Sequence, residues 1–197
     1  MNAHLTEQLV KLFGARSSHF KNGISAWALQ FEMIGNLAAG QKVWDLGESK
    51  PVLYFNSNAT LAEYSDQFGT TVCHRIIPPM TLFWSESSFI LGNTCDTKML
   101  CKQAGTIYGI SGEQVKQITE RFGMGFHMAI NLTARDIGNY RKRSTDLCLL
   151  KPTDRLQKTL DSNQQILSQI SREELAKYLG LSRSSLFRAI NTLHDVK

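Results

Sequence analysis

The stretch SREELAKYLGLSRSSLFRAINTL, Ser171 to Leu193, restricts the fold of this chain more than any other segment. Ser171 followed by Glu174 is a capping box, in which each side chain satisfies a backbone donor left open at a helix start. A helix is therefore predicted from Arg172, with Leu175, Ala176 and Leu179 recurring along one narrow face. Gly180 ends it, since glycine adopts the left-handed conformation that closes a helix at little cost, and Ser182 is placed to cap a second helix. That helix buries Leu186, Ala189, Ile190 and Leu193 and shows Arg183, Ser184, Ser185, Arg188 and Asn191 on its other face. Two helices this short hide too little apolar surface to stand alone, so they must lean on further elements.

A small alanine in the first helix, a glycine in the turn and spaced aliphatics on both sides suit a tight crossing. This is the helix-turn-helix arrangement, whose second helix enters the major groove of DNA. Arginine can bridge guanine N7 and O6, while serine and asparagine can meet phosphates or other base edges. An ordinary helical hairpin packed on its own domain shares the pattern, and charge separates the two readings. Residues 1–134 hold 10 basic and 10 acidic residues, whereas residues 135–197 hold 12 and 7, so the whole excess of +5 lies with the helix pair. A local positive field favours a polyanionic partner, because neutralised phosphates release condensed counterions.

Upstream, HLTEQLVKLFG (His4 to Gly14) places Leu5, Leu9, Leu12 and Phe13 at helical spacing. From Ile24 to Gly109, runs such as ISAWALQFEMIG, KPVLYFN, TLAEYS, TTVCHRIIPP and GTIYGIS mix β-branched and aromatic residues between turn formers, which predicts strands. A hairpin connection is expected over Asp66, Gln67, Phe68 and Gly69. So many strands in a short span imply a compact antiparallel sandwich, barrel or roll. From Ser111 the stripe Val115, Ile118, Phe122, Phe126, Ala129, Thr133, Ile137 and Tyr140 predicts one long helix suited to pairing with its own copy, or else to packing on the β-domain. Pro152 marks the start of a further helix, and Leu156, Leu160, Ile166, Leu167 and Ile170 supply a core for the helix pair.

No segment approaches the roughly 20 consecutive apolar residues needed to cross a bilayer, and the N-terminus lacks the apolar core of a secretion signal, so a cytoplasmic location is expected. Cys73, Cys95, Cys101 and Cys148 are scattered without CxxC spacing, which predicts free thiols and no metal or other cofactor. A catalytic β-barrel of the cupin kind needs converging histidines and a carboxylate; His74 stands alone in the strand-rich region, so no catalytic residues are assigned. A module that uses its long helix to bind another protein fits the basic C-terminal third less well.

In that order, a β-domain, a long helix and a helix-turn-helix resemble the Crp/Fnr family of bacterial transcription regulators. The resemblance covers nearly the whole chain and is most specific at ISREELAKYLGLSRSSLFRAINTL and LLKPTDRLQKTL; LAAGQKVWDLGESKPVLYFN is similar to the opening strands of the cyclic-nucleotide-binding β-roll. It implies an α+β protein: a jelly-roll-like antiparallel β-roll over residues 1–110, a long dimerisation helix over 111–142 and an all-α helix-turn-helix domain over 143–197. It further implies a homodimer on double-stranded DNA, with RNA polymerase as a candidate partner. The family's base-reading positions fall on Arg183, Ser184 and Arg188, with Ser182 capping the helix and meeting a phosphate; Arg172, Lys177 and Lys151 are further phosphate candidates.

Two departures are expected to matter. Nucleotide-binding members cradle a phosphate with Gly-Glu and a later Arg-Ala, but LFWSESSFILGNTCDTKML holds Trp84 and Ser85 at the first pair and no arginine lies between Arg75 and Arg121, so cyclic AMP or GMP binding is not expected. Phe83, Trp84, Ser85, Phe89, Lys98 and Met99 are candidates for lining a pocket for some other effector, with an ordinary β-roll core as the alternative role for the aromatics. The family also appends a β-hairpin wing after the recognition helix; the sequence here stops at Lys197, and a module without a wing is expected. The first cysteine is Cys73, which argues against an N-terminal iron-sulfur cluster.

Overall fold

The β-branched and aromatic runs form eight strands in the computed structural model, which describes residues 5–7, 9–10, 18–123 and 125–195. The strands are β1 (Glu32–Leu37), β2 (Lys42–Trp44), β3 (Val52–Asn56), β4 (Thr60–Gln67), β5 (Thr70–Ile77), β6 (Thr81–Phe83), β7 (Lys98–Gln103) and β8 (Gly105–Ser111). They build two antiparallel four-stranded sheets, ordered β1-β8-β3-β6 and β2-β7-β4-β5. Between the sheets lie Trp44, Tyr54, Leu61, Phe83, Met99 and Ile107, all buried. The Tyr54 and Phe83 rings stack with centroids 5.0 Å apart.

The first sheet is covered on its other face as well. Leu5 and Leu9 of the N-terminal helical stretch and Ile24, Trp27 and Ala28 of helix α1 (Ser18–Gln30) press on Leu53, Phe55, Trp84 and Ile110. A strand buried on both sides needs a continuous apolar run, which is why β3 reads VLYF without alternation. The segment ISAWALQ corrects the strand expectation: it is helical, because the spacing of Ile24, Trp27, Ala28 and Phe31 gives one apolar face to lay on the sheet. Leu12 and Phe13 of the predicted N-terminal helix lie outside the described residues.

The β4–β5 turn is tighter than expected. Only Phe68 and Gly69 stand between the strands, with φ of 51° and 74°, the left-handed pair that matches the twist of a two-residue hairpin. The predicted single helix from Ser111 is instead two, α2 (Gly112–Arg121) and α3 (Gly125–Leu149). Gly123, at φ 61°, breaks the helical path between them. Val115, Ile118 and Phe122 accordingly pack on the β-roll of their own chain, while Ile137 and Tyr140 remain 46% and 44% exposed on α3. The long helix also runs past residue 142 to Leu149.

Helices α4 (Pro152–Ser162), α5 (Ile166–Gln169), α6 (Arg172–Leu179) and α7 (Arg183–Asp195) complete the fold. Pro152 occupies the first turn of α4, where its missing N–H costs nothing. Leu156, Ile166, Ile170, Leu175, Leu179, Leu186 and Ile190 form a separate core, as the sequence pattern predicts, though Leu167 is 37% exposed. No helix among the described residues is long and apolar enough to cross a membrane. Gly180 closes α6 at φ 63°, and a Cβ there would meet Leu147 Cδ2 at 3.0 Å. Gly180→Ala is therefore expected to cost about 1–2 kcal/mol in urea unfolding, from the left-handed backbone together with the crowding of Leu147.

Candidate nucleic-acid interface

The two predicted caps define the helix pair. Ser171 Oγ accepts from the Glu174 N–H at 3.2 Å, and the Glu174 carboxylate accepts from the Ser171 N–H at 3.1 Å. Ser182 Oγ accepts from the Ser185 N–H at 3.1 Å and so starts α7. Burial of Leu186, Ala189 and Ile190 turns Ser182, Arg183, Ser184, Arg188 and Asn191 to solvent, with Ser185 half-buried beside them. Arg188 reaches only the Ser185 hydroxyl, at 3.4 Å, and among the described residues neither Arg183 nor Arg188 pairs with a carboxylate. Lys177, by contrast, is held by Glu173 at 3.1 Å. A depression of about 670 Å³ runs from Arg172 past Ser182 and Arg183 to Phe187. Phe187 is 52% exposed on the same helix, a feature the polar pattern hides.

The helix pair is seated on the β-roll by contacts between residues 35 to 110 positions apart. Glu174, besides its capping role, accepts from the Tyr64 hydroxyl at 2.7 Å and pairs with Lys102 at 2.5 Å. Arg143 of α3 donates to the carbonyls of Cys73 at 2.8 Å, of His74, and of Tyr178 at 3.0 Å, with its guanidinium 4.9 Å from the Tyr178 ring centroid. Burial opposes ionisation of Glu174, but hydrogen bonds from Lys102, Tyr64 and Ser171 outweigh it and bring the carboxyl down to about 2. A lowered carboxyl pKa stabilises the fold above the ordinary value near 4.5 and loses that contribution as pH falls towards 2. Urea unfolding across that window is expected to show a loss of stability in the wild type that Glu174→Gln, less stable at neutral pH, lacks.

The six residues predicted to line an effector pocket do not converge. Phe83 and Met99 are in the inter-sheet core, whereas Trp84 and Phe89 pack on the opposite face against the helices. The chain reverses face at each residue past β6, which separates neighbours in sequence. Ser85 caps a single π-helical turn, Glu86–Ile90, accepting from the Ser88 N–H at 3.3 Å, and Lys98 pairs with Asp66 at 3.1 Å. The cation at this turn comes from β5. Arg75 binds Glu63 at 2.5 Å and Glu86 at 2.8 Å and donates to the Trp84 carbonyl, while Thr97 donates to Glu63 at 2.7 Å. Burial, only partly offset by Arg75, pushes the Glu86 carboxyl up to about 7 and also raises that of Asp136 on α3. The Glu63 side chain is 1% exposed. Arg75→Met strands its charge, and a loss of about 3–5 kcal/mol is expected in denaturant unfolding.

His74, the histidine of the strand-rich region, is engaged with Ser65 Oγ at 2.6 Å, and among the described residues no three His, Cys, Asp or Glu side chains group as a metal site. Cys73, Cys95 and Cys101 are buried free thiols and Cys148 is exposed.

Solved structures share this architecture. FixK2 from Bradyrhizobium japonicum is similar at 14% identity with a TM-score of 0.72, covering 84% of this chain and 85% of that one. The c-di-GMP responsive global regulator CLP of Xanthomonas campestris gives 16% identity and 0.65 over 88% and 91%. The Thermus thermophilus catabolite activator protein gives 19% and 0.56 over 93% and 86%. No family model matches the chain. No curated protein matches it significantly. The fold is thus the α+β fold of these regulators, a cyclic-nucleotide-binding-like β-roll followed by helices.

Proposed function

We propose that the chain is a transcription regulator of the Crp/Fnr type, a homodimer that reads an inverted repeat in double-stranded DNA with α7. The observation that carries this reading is the solvent face of α7: Arg183, Ser184, Arg188 and Asn191 are exposed, and among the described residues both arginines are free of carboxylate partners. Unpaired guanidiniums at the start and middle of a helix can reach guanine edges, and Ser182 at the cap can reach a phosphate. The basic balance of residues 135–197 supports the same partner.

Dimerisation through α3 is supported by Ile130 and Ile137, half-exposed and one heptad apart on one face. A two-fold pair would set its recognition helices about 34 Å apart, one DNA turn. In this reading residues 1–110 sense an effector, the region 111–142 pairs the protomers and residues 143–197 bind DNA, with RNA polymerase as a candidate partner at the promoter. Cyclic nucleotides are not the effector proposed, because the arginine that reaches the π turn is already held by Glu63 and Glu86.

Selection from a random DNA pool with the purified protein is expected to enrich an inverted repeat. Each of Arg183→Ala and Arg188→Ala should weaken binding to it by about 1–3 kcal/mol and relax the preference at one base position. A double mutant that keeps full affinity for the selected repeat would exclude α7 as the reading element.

A further inference from the structure

A cleft of about 420 Å³ lies where four parts of the chain meet: β5 and β6, α3, α4 and the end of α6. Its volume is in the range of small-molecule sites. Six cationic side chains line it, Arg75, Arg135, Lys142, Arg143, Arg155 and Lys158, against two acidic ones, Asp136 and Asp146. Arg75 is committed to Glu63 and Glu86, and Lys158 to Asp146 at 2.5 Å. Arg143 and Arg155 are different, because the acceptors they have are uncharged: three carbonyls for Arg143 and the Leu179 carbonyl, at 2.6 Å, for Arg155.

Three buried side-chain atoms that lack a hydrogen bond among the described residues point the same way. Arg143 Nε, Arg155 Nε and Trp84 Nε1 all belong to residues of this cleft, and all three are N–H donors. Orphan donors in buried surroundings cost stability unless a partner arrives, and a partner for donors and positive charge is an anion. The remaining walls mix apolar and aromatic side chains, Trp84, Tyr140 and Tyr178 among them, with polar ones such as Asn139, Thr159 and Ser162.

We infer that this cleft binds a small organic anion, a phosphate or carboxylate carried on a flat apolar group, with Arg143 and Arg155 taking the acidic head. Such a ligand would touch the β-roll, the long helix and the helix pair together, so its binding energy would favour the seated arrangement of all three over any other. The inference concerns the cleft alone and holds whether or not α7 binds DNA.

Titration calorimetry of the full chain with phenyl phosphate tests it, with inorganic phosphate and benzoate as arms that separate head group from ring. The expected result is saturable binding of one phenyl phosphate per chain, weaker binding of inorganic phosphate, and benzoate ranking that tells carboxylate from phosphate. Arg155→Gln should weaken phenyl phosphate binding about tenfold or more, and Arg155→Lys by less. Lys142 is exposed and makes no hydrogen bond or ion pair among the described residues, so Lys142→Gln supplies a second variant whose folding is not in question; it too should weaken binding. Absence of saturable binding by all three probes would overturn the inference. So would undiminished binding in Lys142→Gln together with a folded Arg155→Gln.

Discussion

The relation between the β-roll and the helix pair depends on one guanidinium. Arg143 sits on the long helix, yet its donors reach two carbonyls of β5 and one of α6, while its flat face lies over the Tyr178 ring. A planar group with several donors can hold three elements in one geometry, which a lysine's point charge could not. Glu174 completes the seat from the other side, tying the first turn of α6 to Tyr64 and Lys102. Together they convert an isolated helical hairpin, too small to be stable alone, into part of one packed body.

The local devices of this fold are readable in the amino-acid order. Ser171 and Glu174, Gly180, Ser182 and Pro152 announce helix ends through short-range chemistry, and the structure places each in the role its spacing implies. Face assignment over longer stretches is less legible. ISAWALQ has strand-like composition, but the sheet below it needs a cover, and burial of Trp27 outweighs propensity. The stripe of α2 and α3 reads as continuous because a glycine in a helix pattern carries no mark of the sign of its φ; only the packing of Phe122 on the roll makes the break at Gly123 worthwhile.

The site is legible to a similar degree. Exposure of Arg183, Ser184, Arg188 and Asn191 follows from the period of the buried residues around them. The interior polar network does not follow from any period. Arg75 meets Glu63 across a strand pair and Glu86 across a turn, and Asp136 approaches from a helix further along the chain. Each of these residues, met singly in the sequence, reads as a solvated charge. Burial raises the carboxyls of both Glu86 and Asp136 and Arg75 opposes the rise at each, so one guanidinium serves acids of the π turn and of the long helix.

The position of Arg143 has one more effect. Strand β5 lies at the margin of its sheet, with β4 on one side and, among the described residues, no strand on the other. Exposed strand margins invite pairing with other chains. Two carbonyls of that margin, at Cys73 and His74, are already occupied by the arginine, and α6 lies against the same strand. The residue that seats the helix pair thus also helps to seal the sheet, and a chain that lost both Arg143 and α6 would lose its protection against self-association along β5.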